Sequence, residues 1–298
     1  MVEREVIRRI IIEGQEFVNE ISLTERPFFF EQKGNYVFVG IRQAGKSYLL
    51  YQRIQQLLRE EHNINEIVYI NFDDERLRQM TADDLDLILQ AYHSLFDLRP
   101  LLFFDEIQNI EGWEHFARRL ANQKYNIYIT GSNAKMLSRE IATTLGGRFW
   151  NKDVYPYSFA EYLNARNIIL SKNWMYGKQA AEVSKAFNDY FLYGGFPELT
   201  DVIAKRVWLN DIYSKIFFSD LIVRNKVRNE EALGLLVRRL AENVKQPVSY
   251  TRLANLISSI GIKISKATVI EFIRYLKESC LIFPIENYAA KFGINVKP

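Results

Sequence analysis

The sequence predicts an α/β fold: a three-layer α/β/α P-loop NTPase core on a parallel sheet, followed by a helical lid and a C-terminal winged helix. Three observations carry the core. Gly40-Ile41-Arg42-Gln43-Ala44-Gly45-Lys46-Ser47 fits the phosphate-loop pattern G-x-x-x-x-G-K-[ST], between an apolar run and a helical repeat. Leu101-Leu102-Phe103-Phe104 is an apolar run that ends at once in Asp105-Glu106. Short apolar runs alternate with helical periodicity across the first half of the chain, as βα units of a parallel sheet require.

The 298 residues, 48% hydrophobic and 25% charged, have the composition of a globular protein. No apolar run approaches the roughly 18 residues that span a bilayer, so no membrane partner is expected. The segment Met1–Arg9 carries charges of both signs and no signal-peptide core. Cys280 is the single cysteine, which excludes an intrachain disulfide and points to a reducing, cytoplasmic setting. It lies in an apolar stretch and reads as core. One cysteine and three histidines argue against structural zinc. The net charge of +3 hides an asymmetry: residues 202–298 hold 16 Lys and Arg against 8 Asp and Glu, whereas the first 201 hold 23 against 28. The basic rear reads either as a surface for an anionic partner or as drift in surface composition.

In residues 1–25, Val6, Ile10, Phe17 and Ile21 recur near helical spacing among charges, and Pro27 with Phe28-Phe29-Phe30 ends the pattern. Residues 1–30 are thus an N-terminal helix on the outside of a core domain, 31–165. Tyr36–Val39 reads as a buried strand. In the loop that follows, Gly40 and Gly45 let the backbone curl so that N–H groups face phosphate oxygens. The helix over residues 47–58 adds the positive end of its dipole. Lys46 reaches the β- and γ-phosphates of ATP, and the Ser47 hydroxyl sits on Mg²⁺. Gln43, Ala44 and Tyr48 complete the nucleotide-binding set. Arg42 either lines the nucleotide or meets a neighbouring element.

Ile67–Phe72 reads as the second strand, with Asp73 and Asp74 as caps or loop charges. Thr81 caps a helix running to about Phe96, with Asp83 and Asp84 in its first turn. The third strand delivers the Walker B pattern: Asp105 to hold Mg²⁺, Glu106 to orient and polarise the attacking water. Residues 112–120 form a helix with Trp113, Phe116 and Leu120 on one face and His115 off it. Residues 126–133 form the fourth strand, expected between the P-loop strand and the Asp105 strand, so its end faces the γ-phosphate. Ser132 and Asn133 are the candidates to sense phosphate and water there, with Thr130 less favoured; a simple turn is the alternative. A helix over residues 135–145 precedes the last core strand, near 149–154.

These residues resemble the prokaryotic AAA-type ATPases related to the archaeal ATPase group. The resemblance rests on Gly40–Ser47, Leu101-Leu-Phe-Phe-Asp-Glu-Ile-Gln108, Ile129-Thr-Gly-Ser-Asn133, Gly146-Gly147-Arg148-Phe149 followed by Tyr155-Pro-Tyr-Ser-Phe-Ala-Glu-Tyr-Leu163, and Tyr193-Gly194-Gly195-Phe196-Pro197-Glu198. It runs from about residue 25 to about 290, with five elements in family order. It implies an AAA+-like ATPase core, a helical lid and a winged helix. Many such proteins continue into a nuclease-like domain. Here the sequence ends at Asn295-Val296-Lys297-Pro298, and no nuclease role is carried over. The resemblance also makes Arg148 a candidate arginine finger, acting on its own phosphate or, in a homo-oligomer, on a neighbour's. A surface or salt-bridged arginine is the equal alternative.

Beyond the core, Ser158 caps a helix over residues 159–165. Residues 166–245 are a helical lid region: a linker at 166–178, a helix from Ala180 to Leu192 ended by Gly194-Gly195 and Pro197, one or two helices over 198–226 and another over 229–244. Residues 246–298 read as a winged helix-turn-helix. Ser249 caps a helix with Leu253, Leu256, Ile257 and Ile260 facing inward. Ser265 caps a second with Val269, Phe272, Ile273 and Leu276, and Leu281–Ile285 is the wing strand. Lys263 and Lys266 lie at the end of the second helix that enters a DNA groove in such folds. They fit phosphate contacts, and protein packing is the competing reading. Two functions follow: an Mg²⁺-dependent ATPase moving its lid and winged helix on or near DNA, or a slow-turnover ATP/ADP switch for signalling or protein interaction.

Overall fold

The computed structural model describes residues 2–131, 136, 139–244 and 248–285. The chain divides into two units, Met1–Leu209 and Asn210–Pro298. Strands β1 (Tyr36–Val39), β2 (Ile67–Asn71), β3 (Leu101–Asp105), β4 (Ile127–Gly131) and β5 (Trp150–Asp153) of the first unit form one sheet in the order β2-β3-β4-β1-β5. Every pairing is parallel. β4 lies between β1 and β3, as the sequence reading requires.

Strands β1–β4 alternate two buried faces, as strands covered on both sides must, while β5 at the edge is mostly exposed. Val37, Val39, Val68, Ile70, Leu102, Phe104, Ile127 and Ile129 join one core, with helices α1 (Arg4–Glu20), α3 (Asp86–His93) and α4 (Trp113–Asn122). Tyr36, Phe38, Tyr69, Phe103 and Tyr128 face the other, under helix α2 (Lys46–Arg59). That second face is aromatic. Phe103 and Tyr128 stack with centroids 4.7 Å apart, and Tyr36 and Tyr128 at 5.8 Å. Helix α5 (Arg139–Leu145) leads to β5, then α6 (Phe159–Ala165) and α7 (Gln179–Tyr193) follow. Ser158 caps α6 in a reciprocal capping box with Glu161, as its spacing suggests. Thr81 does the same with Asp84, although it closes a 3-10 turn and α3 begins only at Asp86.

α1 presents a different face from the one its spacing suggests. Ile7, Ile10, Ile11 and Val18 are buried with Gly14 and Gln15, while Phe17 is exposed. The helix lies along β2. A Cβ on Gly14 would stand 2.9 Å from the Tyr69 carbonyl oxygen, and Gln15 Nε2 donates to the Ile67 carbonyl at 2.9 Å.

In the second unit, α9 (Glu230–Glu242), α10 (Tyr250–Ser258) and α11 (Lys266–Glu278) pack around Leu233, Leu236, Leu253, Ile257, Phe272 and Leu276. Helix α8 (Lys205–Lys215) crosses the unit boundary and continues into wider π-type turns over Ile216–Val223. Leu256 and Ile260, expected inside, are exposed. The buried stripe of α10 is Leu253, Ala254 and Ile257, and Ile260 lies past the helix end. Leu281–Ile285 forms no strand among the described residues. Cys280 takes a left-handed conformation (φ 56°), and the Leu281 and Ile282 amides both bond back to the Leu276 carbonyl. This backbone closes the end of α11 rather than pairing in a ladder. Cys280 is half-buried. No helix among the described residues is long and apolar enough to cross a membrane.

Candidate nucleotide-binding site

The carboxyl ends of β1, β3 and β4 converge on one site. At the end of β1 the chain turns against the strand of β5. A Cβ on Gly40 would lie 2.0 Å from the Val154 carbonyl oxygen, so only glycine fits. The loop then uses two left-handed residues, Gln43 (φ 60°) and Gly45 (φ 90°), and Gly45 stands at the N-terminus of α2. Lys46 is buried, and its Nζ donates to the carbonyls of Gly40 at 3.1 Å and Ile41 at 3.0 Å. The same ammonium lies 3.9 Å from Glu106 Oε1.

Asp105, the last residue of β3, is 1% exposed. It accepts hydrogen bonds from the Thr130 hydroxyl, from the Ser47 hydroxyl and from the Tyr69 phenol, the last at 2.9 Å. Burial pushes its carboxyl above the ordinary range, and these hydroxyls act against that shift. Glu106 follows in a left-handed conformation (φ 52°), its amide donating to Thr130 Oγ1 at 3.0 Å. Gln108 Nε2 donates to its carboxylate. One threonine thus ties together both acidic residues.

Behind this carboxylate the Tyr51 and Tyr69 hydroxyls lie 2.8 Å apart. Burial pushes the Tyr51 phenol up to about 12 and Tyr69 higher still, so both remain protonated donors. On the other flank Arg26 braces the loop. Its Nη1 donates to the Ala44 carbonyl at 3.2 Å, its Nε pairs with Glu161 at 2.7 Å, and its guanidinium lies over the Tyr157 ring at 5.3 Å. Burial raises the Glu161 carboxyl, but Arg26 and the Ser158 amide and hydroxyl outweigh it and hold the group below its usual range. A cavity of about 520 Å³ is lined by Gly45, Lys46, Ser47, Tyr48 and Glu106 together with Arg26, Tyr157, Pro197 and Glu198.

The structure therefore brings Gly40, Gln43, Ala44, Gly45, Lys46, Ser47, Tyr48, Asp105 and Glu106 together. Arg42 is half-buried on the loop but does not line this cavity. Ser132 and Asn133 lie outside the described residues. Arg148 is elsewhere. It is exposed, donates to the Gly146 carbonyl at 3.0 Å, and its own carbonyl accepts from Asn35, just before β1. This is the amino end of the sheet, with Lys33, Lys124 and Asn126, so the guanidinium does not reach its own phosphate loop. The placement follows from chain direction: Arg148 enters β5, and every strand points toward the phosphate loop. Lys263 and Lys266 are exposed at the start of α11 in the second unit.

Sequence reasoning missed Tyr51, Tyr69, Arg26 and Gln108, and gave Thr130 no bond to the two carboxylates. The tyrosines read as ordinary core aromatics. Strand register would have identified Thr130: Phe104 pairs with Ile129, which sets Asp105 beside Thr130.

A parallel sheet of this order, a glycine loop opening a helix after β1 and acidic residues at the end of β3 define the P-loop class of nucleotide-binding α/β folds. Residues 32–163 match the family model of the AAA domain. Residues 184–297 match a domain of unknown function, DUF8612. Over 297 residues the chain is 32% identical to an uncharacterized protein, MJ1544, of Methanocaldococcus jannaschii, covering 98% of this chain and 66% of that protein. It is 31% identical over 256 residues to an uncharacterized protein of Haemophilus influenzae, covering 85% and 62%. The chain thus spans about two thirds of the length of these curated relatives. The Orc1 protein of Aeropyrum pernix, solved in complex with DNA, aligns over 93% of this chain and 83% of its own at 15% identity, with a TM-score of 0.36. A likeness of that size carries no argument here.

Proposed function

We propose that the chain binds ATP with Mg²⁺ and hydrolyses it to ADP and phosphate at the Lys46–Ser47–Asp105–Glu106 site. The observation that carries this reading is the placement of Glu106 beside both Lys46 and Asp105, because a site that only binds nucleotide needs no second carboxylate. The residues present fit Mg²⁺. A hydroxyl, Ser47, is hydrogen-bonded to a single carboxylate, Asp105, and among the described residues no group of three or more acidic, His or Cys side chains forms a cage. Mg²⁺ is ordinarily held this way, by one or two carboxylates plus substrate phosphates and water. Bound there, it would neutralise charge on the phosphate oxygens. The loop amides from Gly40 to Ser47 cradle the phosphates, and Lys46 exchanges its carbonyl partners for phosphate oxygens. Glu106 orients the attacking water and accepts its proton. Thr130 fixes Glu106 through its amide and Asp105 through its carboxylate.

The test is phosphate release with Mg²⁺ in wild type, Lys46→Ala and Glu106→Gln. The account predicts losses of about 100-fold or more in both variants. An unchanged rate in Glu106→Gln overturns hydrolysis by this site.

The Gln108–Glu106 hydrogen bond favours a second reading, a slow-turnover switch. The amide occupies Oε2 and competes with water for that oxygen, which would slow turnover. We further propose that the cycle moves the C-terminal helical unit, that Lys263 and Lys266 meet DNA phosphates, and that Arg148 serves a neighbouring copy's nucleotide in a homo-oligomer. The single cysteine supports a reducing, cytoplasmic setting.

A further inference from the structure

Tyr69 and Tyr51 carry no step of the proposed reaction, yet their hydroxyls end on Asp105, and Tyr51 also borders the cavity. The Tyr69 phenol sits on β2, the strand beside β3, and donates to Asp105 Oδ2 at 2.9 Å. Tyr51 sits on α2, four residues after Ser47, and its hydroxyl is 2.8 Å from that of Tyr69. A carboxylate is an acceptor only, so the one Tyr69 proton is committed to Asp105 and Tyr51 must be the donor of the second bond. The result is a directed relay, Tyr51 to Tyr69 to Asp105, with both tyrosines buried. α2 thereby holds Asp105 twice: directly through the Ser47 hydroxyl and, one turn later, through the two phenols.

Each partner constrains the carboxylate differently. Thr130 engages Oδ1, and Tyr69 engages Oδ2. With both oxygens held, rotation of the carboxylate about its bond to the strand breaks a hydrogen bond. Phenylalanine would fill the same aromatic layer as either tyrosine, so shape alone does not call for the hydroxyls. The layer already places Phe38 and Phe103 on this face.

We propose that Tyr69, oriented by Tyr51, is a positioning residue that fixes the rotation of Asp105 for Mg²⁺, and that the relay sets how tightly the nucleotide site takes the metal. This rests on the nucleotide-site reading given under Proposed function. Groups that orient a metal ligand from behind are worth about 10- to 100-fold in metal affinity.

The experiment measures binding rather than turnover. The fluorescent nucleotide mant-ADP is titrated onto the full chain in EDTA and then at increasing Mg²⁺, for wild type, Tyr69→Phe and Tyr51→Phe. The expected result is an affinity in EDTA within about twofold of wild type for both variants. The half-saturating Mg²⁺ should rise about 10-fold or more in Tyr69→Phe. A smaller rise, about 2- to 5-fold, is expected in Tyr51→Phe, which leaves the Tyr69 donor in place. A purely structural role would move the EDTA and Mg²⁺ affinities by the same factor, and that result overturns the proposal. So does an unchanged Mg²⁺ requirement in both variants. If Tyr69→Phe does not fold, Tyr51→Phe carries the test by itself, and wild-type Mg²⁺ dependence in it overturns the relay. A wild type that binds mant-ADP equally with and without Mg²⁺ overturns this proposal and leaves nucleotide binding standing, whereas a wild type that does not bind mant-ADP overturns the nucleotide-site reading.

Discussion

Thr130 is the residue on which the two carboxylates depend. Its hydroxyl donates to Asp105 and accepts from the Glu106 amide, so its one proton and one of its lone pairs are both in use. Thr130→Val keeps the shape and removes both bonds. The Glu106 amide then lacks a partner, a cost of about 1–3 kcal/mol. We expect ATP turnover to fall about 10- to 100-fold while thermal unfolding still shows a cooperative transition, and parallel rate and melting measurements check this. A variant with wild-type turnover would remove Thr130 from the site. The sequence names Thr130 only as a phosphate sensor less favoured than Ser132 and Asn133, because polar residues beyond a strand end look more accessible than one inside it. Lys46, Ser47, Asp105 and Glu106 were legible because their motif spacing fixes them relative to a strand end and a helix start. Thr130 and Tyr69 were not, because their roles come from register between strands, and register is a property of the pairing rather than of any one segment.

At the scale of elements, the phosphate loop is held from two sides. Gly40 lets β1 pass close to the chain after β5, and Gly40→Ala would drive a methyl into the Val154 carbonyl oxygen. A backbone atom cannot swing aside as a side chain does. The expected loss is about 3 kcal/mol, read as a lower denaturation midpoint. On the other side the Arg26–Glu161 pair, with both side chains 14% exposed, joins the segment before β1 to α6. Glu161→Gln leaves the guanidinium without its charge partner, at a cost of about 3 kcal/mol. The pH dependence has a definite sign. The folded-state value of Glu161 lies below the ordinary 4.5, so its contribution is complete above that pH and is lost as pH falls through the depressed value. Wild type should therefore lose stability over that acid range, and Glu161→Gln should show a flatter profile. The core strands and most helices were legible, since each carries its own period or cap. The buried face of α1 was misread because its stripe is completed by Gly14 and Gln15, which no hydrophobic pattern marks. The wing failed for a related reason: Leu281–Ile285 is apolar enough for a strand, but its first amides turn back onto α11.

At the scale of the whole molecule, a parallel-sheet domain that matches the AAA domain model and a helical C-terminal region share one chain that spans about two thirds of its curated relatives. The basic balance of residues 202–298 gives the second unit its proposed role. If Lys263 and Lys266 meet phosphates, Lys263→Ala with Lys266→Ala should weaken binding to duplex DNA and lower the slope of affinity against salt by about 2. An unchanged slope would remove DNA from these two residues. The central claim concerns the first unit. Its most direct test pairs equilibrium binding of ATP with single-turnover hydrolysis, in wild type and Glu106→Gln, both with Mg²⁺. The account predicts affinities within about threefold of each other and hydrolysis slower by about 100-fold or more in the variant. Failure of the wild type to bind ATP, or equal hydrolysis by the two proteins, would contradict it.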